Sequence, residues 1–159
     1  MFSGLSAYTW MHTALSLVGL ASGFIVLLGL LASKRFDGWT ALYFVSTIAT
    51  HATGFGFSYD KFEASHWIGG VSLVVLTMAI LARYVFQLAG AARGIYPAGV
   101  TLSLYFSVFI AIAQAFKRVP ALKTMVPSWS EPWFAFAQLA ALALFAALGI
   151  AATLRFRPQ

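Results

Sequence analysis

Long apolar runs separated by short polar segments dominate this chain. A helix that crosses the hydrocarbon core of a bilayer needs about 20 mostly apolar residues. Stretches of roughly this kind predict five spans, near residues 8–32, 38–57, 66–88, 95–116 and 132–156. The pattern therefore predicts an all-α integral membrane helix bundle of about five transmembrane helices, forming a single transmembrane domain over residues 1–159.

The second predicted span is the most polar of the five. Its polar side chains are Thr40, Ser46, Thr47, Thr50, His51 and Thr53. Residues three or four positions apart lie on one face of a helix, which places Tyr43, Thr47, Thr50, His51 and Gly54 on a single stripe. Polar groups inside a membrane are costly against lipid, so we expect this stripe to face the other helices.

Composition and charge support lipid as the solvent. Hydrophobic residues make up 61% of the chain and charged residues only 9%, whereas a soluble domain carries about 25% charged residues. The net charge of +6 comes from basic residues scattered between apolar runs. They form no basic face for nucleic acid and suit contact with lipid headgroups. The absence of cysteine excludes disulfides, thiolate metal sites and cysteine nucleophiles.

The basic residues also indicate an orientation. Five spans place the first and third loops and the C-terminus on one side of the membrane, which then carries six basic residues against four on the other side. Cytoplasmic loops carry the excess of lysine and arginine. We therefore expect the N-terminus to lie outside and the C-terminus in the cytoplasm.

The three histidines all fall on the same side of the predicted bundle. Each lies near the end of a span that reaches this side, and further polar residues end the fourth span there. This polar set consists of His12, His51, His66, Gln114, Lys117 and Arg118. Ionisable residues within spans are costly and often functional. The sequence thus predicts a polar pocket near the outer surface, with Gln114, Lys117 and Arg118 at its rim.

Two histidines on facing helices suggest a redox cofactor. Such a pair ligates haem iron in helix-bundle cytochromes, so haem b is the first candidate. His12 and His51 form the natural pair, and His51 with His66 is the second. Lys117 and Arg118 would then pair with the propionates. All three histidines could instead bind copper or zinc, because imidazole suits both ions.

Other functions fit the same residues. A quinone would use histidine, glutamine or serine as donors to its carbonyl groups. A hydrolase built on Ser58, Asp60 and His66 lacks any accompanying nucleophile motif. The contrasting possibility is a non-catalytic accessory or assembly subunit that contacts other membrane subunits. The sequence leaves open whether the chain is an enzyme.

Five short segments of the sequence resemble segments found in one group of proteins. They are residues 114–122 (QAFKRVPAL), 127–134 (PSWSEPWF), 37–42 (DGWTAL), 53–55 (TGF) and 82–84 (ARY). In these segments the chain resembles uncharacterised small polytopic inner-membrane proteins of proteobacteria. The resemblance implies a bacterial inner-membrane location. It implies no activity, and no functional residue is carried over from it.

Overall fold

The computed structural model describes residues 6–57, 63–128 and 130–158. The regular structure of these residues is helical throughout, with no strand among them. The elements are α1 (Ala7–Leu31), α2 (Asp37–Gly54), α3 (Ala64–Ile80) continued by a π-helical turn (Leu81–Val85), α4 (Ala92–Arg118), α5 (Pro120–Met125) and α6 (Pro132–Arg155). The predicted all-α bundle is confirmed.

Four of the described helices are long and apolar enough to cross a membrane, so the chain is a multi-pass membrane protein. They are α1, α3 with its π-helical turn, α4 and α6. The predicted number of five is one more than this. The exception is α2, which has 18 residues but is less apolar than the other four because hydroxyl side chains and His51 interrupt it.

The second helix packs antiparallel along α1. Glycines allow the two helices to approach closely. A methyl group added at Gly19 would lie 3.2 Å from the Oγ1 atom of Thr47, and one added at Gly23 would lie 2.9 Å from the Cε2 atom of Tyr43. Near the other end of the pair, the Tyr8 hydroxyl donates to the Thr53 carbonyl at 2.6 Å. Small residues permit such close helix packing within membranes, and α2 therefore accompanies α1 along its length.

Helices α1 to α4 form a ring. Each contacts the next in sequence, and α4 also contacts α1. The middle of this ring is shielded from solvent, and Tyr43, Leu76, Val100 and Leu104 are fully buried there. The long helix α6 packs on the outside, against α4 and α1. The ring therefore encloses the polar side chains on the inward face of α2.

The end of the bundle opposite the histidines contains a buried arginine. The Arg83 side chain is 1% exposed and pairs with Asp37. Its guanidinium also lies 5.1 Å from the ring centroid of Tyr96. The third helix ends sooner than the predicted residue 88, because Gln87 and Leu88 adopt left-handed backbone angles, with φ of 48° and 60°.

We expect Gly23→Ala to destabilise the bundle. The added methyl group would lie 2.6 Å from the Cδ1 atom of Leu104 and close to the Tyr43 ring, and both side chains are fully buried. Overpacking of this kind costs about 1–3 kcal/mol. Thermal unfolding in detergent, followed by circular dichroism, should show a lower midpoint.

The matched control is Gly70→Ala, where an added methyl group meets nothing within 4 Å. Alanine favours a helix interior over glycine by up to about 1 kcal/mol, so this variant should unfold at the same temperature as the parent or higher. Equal midpoints for the two variants would contradict the close approach of α1 to α2 and α4.

Candidate functional site

A cavity of about 410 Å³ lies inside the histidine end of the ring and is lined by α1, α2, α3 and α4. Ligand pockets have volumes of about 300–1,000 Å³. The cavity brings together five of the six polar residues selected from the sequence, namely His12, His51, His66, Gln114 and Arg118. The sixth, Lys117, is exposed and does not line it.

His51 is the most enclosed of the three histidines. It is 5% exposed, and within the described part of the chain its Nε2 atom has no hydrogen-bond partner. Thr47 lies one helical turn away and is 2% exposed, and its Oγ1 atom also has no hydrogen-bond partner among the described residues. Buried polar groups without partners are rare and costly. The two residues lie one turn apart in the cavity wall, so a polar group bound in the cavity would satisfy both atoms.

The protonation of His12 follows from its partner. Its Nδ1 atom lies 2.8 Å from the Oγ1 atom of Thr53. That hydroxyl already donates its hydrogen to the Ala49 carbonyl at 2.7 Å, so it accepts from His12. His12 therefore carries a proton on Nδ1. In the neutral ring, this leaves a lone pair on Nε2 that can accept a hydrogen bond or ligate a metal.

His66 has a structural task at the start of α3. The backbone N–H of Glu63 donates to its Nδ1 atom at 3.1 Å, and the Glu63 side chain accepts from the His66 backbone N–H. This reciprocal pair is a capping box. An Nδ1 atom that accepts has no proton, so the His66 ring carries its proton on Nε2. In this arrangement neither ring nitrogen offers a lone pair to the cavity.

Arg118 and Gln114 lie one turn apart on α4 at the edge of the cavity. The Nε atom of Arg118 donates to the Oε1 atom of Gln114 at 3.0 Å. This bond orients the guanidinium. Among the described residues that line the cavity, Arg118 is the one that carries a fixed positive charge. Because of this charge, the rim of the cavity suits an anionic group of a ligand more than a cationic one.

The donor set does not assemble a three-histidine metal centre. Across the described residues, no three His, Cys, Asp or Glu side chains lie close enough together to hold a metal ion. The capping role of His66 gives a physical reason, because ligation through Nε2 would require the proton to move and the cap to break. Copper or zinc bound by all three histidines stays a prediction, and this geometry does not favour it.

Some partners of the site were not selected from the sequence. The hydroxyl of Thr53 orients His12, and the cap formed by Glu63 holds His66. The first contact joins side chains of two different helices, and no spacing rule predicts it. The second joins each side chain to the backbone N–H of the other residue, at the three-residue spacing of a capping box. Gln138 on α6 donates to the Phe109 carbonyl at 3.1 Å and does not line the cavity. Ser58 and Asp60 lie outside the described residues.

Fold and cavity together define a helical integral membrane protein with a histidine-lined internal pocket. No family model, curated protein or solved structure matches the chain.

We expect the stability effects of His66 and His51 to differ. His66→Ala removes a capping interaction and should cost about 1 kcal/mol. His51→Leu removes a buried nitrogen that lacks a partner in the described structure, so its cost should be small or even negative. Unfolding midpoints of the cofactor-free proteins in detergent measure both effects.

His66→Gln is the control for the cap, since glutamine at this position can also accept from the N-cap backbone N–H. It should recover most of the stability that His66→Ala loses. A loss in His51→Leu as large as that in His66→Ala would show instead that His51 supports the fold.

Proposed function

We propose that this chain binds a redox cofactor in the histidine cavity, with haem b as the first candidate. The observation that carries the proposal concerns His51, a residue that lines the cavity: its buried Nε2 atom has no hydrogen-bond partner among the described residues. Binding sites combine mostly apolar walls with a few precisely placed polar groups. Here His51 and Thr47 supply those groups within the ring of helices.

The residues present suit haem b in three respects. His51 would ligate the iron through Nε2, and His12 is the second ligand, because its Nδ1 proton leaves a lone pair on Nε2. Arg118 would pair with a propionate, and this task falls to it rather than to Lys117, which lies outside the lining. Haem bound in this way would supply one-electron transfer, with His51 and His12 holding the iron inside an apolar wall.

A quinone is the second candidate, and the pairing of His51 with Thr47 favours it. Both atoms without partners lie on one face of α2, one turn apart. A quinone carbonyl would accept from the Thr47 hydroxyl or from a His51 ring protonated on Nε2. The tautomer of His51 thus separates the two cofactors, because iron needs the lone pair that a donor to a carbonyl lacks.

We place this activity in a bacterial inner membrane, with the N-terminus outside and the cavity near the outer surface. The excess of basic residues at the opposite end supports this orientation. An accessory subunit of a larger membrane complex is the alternative function. The outward face of α6, with Phe136, Leu139 and Ile150 more than 60% exposed, would suit other subunits as well as lipid.

The test is an optical spectrum of the protein purified in mild detergent from haem-sufficient cells. We expect a Soret band that shifts on reduction with dithionite and disappears in His51→Leu. Thr101→Val is the matched control, because Thr101 is buried but bonds to the Pro97 carbonyl outside this cavity. It should keep the band. Metal analysis of the same samples reports any copper or zinc.

Organic extraction of the same samples separates haem from quinone. A colourless protein that releases one quinone per chain, and loses it in His51→Leu, would assign the cavity to a quinone. A colourless, metal-free protein without extractable quinone would overturn the redox proposal and favour the accessory role.

A further inference from the structure

The fourth helix changes character halfway along its length. In its first half, Val100, Thr101, Ser103 and Leu104 are buried. From residue 105 to residue 118 no side chain is buried, on any face of the helix. A helix in a closed bundle keeps one face covered. The second half of α4 is therefore open toward the cavity as well as toward its surroundings.

The first helix borders the same opening. Trp10, Thr13 and Leu17 follow one another at helical spacing, line the cavity, and are exposed on the outside of the protein. Leu17 is 61% exposed. A residue can line a cavity and be this exposed only at the cavity's edge. This face of α1 is thus one side of an opening, and Ile110 and Ala111 on α4 lie on its other side.

A close contact between the two helices bounds the opening at one end. Gly23 on α1 lies so close to Leu104 on α4 that an added methyl group would stand 2.6 Å from that side chain. Beyond this contact, toward the histidine end, both helices carry residues that line the cavity. Leu17 and Ile110 are apolar and lie within the membrane-crossing stretches of α1 and α4, so this edge of the cavity borders the hydrocarbon.

We propose that the gap between α1 and α4 is a lateral portal through which the ligand of the histidine cavity enters from the bilayer. The ligand class is then a membrane-soluble molecule whose polar group reaches His51 and Thr47 and whose apolar part lies between Leu17 and Ile110. This inference rests on the proposed binding site. It adds the route of entry and the requirement for an apolar portion, which applies to haem and to a tailed quinone alike.

The chain has no cysteine, so a single introduced thiol reports access to the cavity without interference. Ser16→Cys places the thiol in the cavity wall, and Lys123→Cys places one on an exposed residue outside the long helices. The protein is reconstituted in phospholipid vesicles with reagent on both sides. Neutral N-ethylmaleimide should label both thiols, whereas a charged sulfonated maleimide should label Lys123→Cys far faster than Ser16→Cys.

A second substitution in the Ser16→Cys background tests the portal itself. Leu17→Trp should narrow the gap and slow labelling by N-ethylmaleimide about tenfold, which corresponds to about 1.4 kcal/mol of added barrier. Val18→Trp is the matched control, since Val18 is 42% exposed but does not line the cavity. It should leave the rate unchanged.

Three results would overturn the portal. Labelling of Ser16→Cys by the sulfonated reagent as fast as labelling of Lys123→Cys would mean a cavity open to water. Equal rates in the Leu17→Trp and Val18→Trp proteins would mean another route, and no labelling by either reagent would mean a closed cavity. None of these measurements needs a cofactor, so failure of the portal and failure of the redox proposal are distinguished by separate experiments.

Discussion

The burial of polar side chains away from lipid is the constraint on which this bundle depends. A hydroxyl or imidazole group facing hydrocarbon finds no water to bond, so α2 is stable in a membrane only inside a ring of other helices. Much of its polarity is settled locally, because Ser46, Thr50 and Thr53 each donate to a carbonyl four residues earlier. Thr47 and His51 are the two members of its inward face whose buried side-chain atoms lack such a partner among the described residues.

The fold was largely predictable from sequence, because each element has a local cause. Apolar length defines α1, α3, α4 and α6, and the described helix ends fall within a few residues of the predicted ones when the π-helical turn is counted with α3. The number of spans was harder to predict, because a helix of intermediate polarity such as α2 is stable in a membrane only where neighbouring helices cover its polar face. The burial of Arg83 could not be predicted for the same kind of reason: it depends on Asp37 and Tyr96, which are distant in sequence.

The candidate site was predictable as a set of residues but not as a set of roles. Helix alternation was enough to bring His12, His51 and His66 to one end of the bundle. Their different tasks follow from single hydrogen bonds, which make His66 a helix cap and leave a lone pair on His12. Lys117 and Arg118 are adjacent in sequence, yet neighbouring residues point about 100° apart around a helix, and only Arg118 reaches the cavity.

The π-helical turn at Leu81–Val85 makes the two ends of the third helix structurally independent. A wider turn shifts the register of everything that follows by a fraction of a helical turn, and here it lets Ala82 and Arg83 both be buried. A chain shorter by one residue just before Arg83 would keep His66 at its place in the cavity and turn Arg83 by about 100° around the helix axis. Length variation at this turn would therefore let evolution alter the charged end of the molecule while the histidine end is preserved.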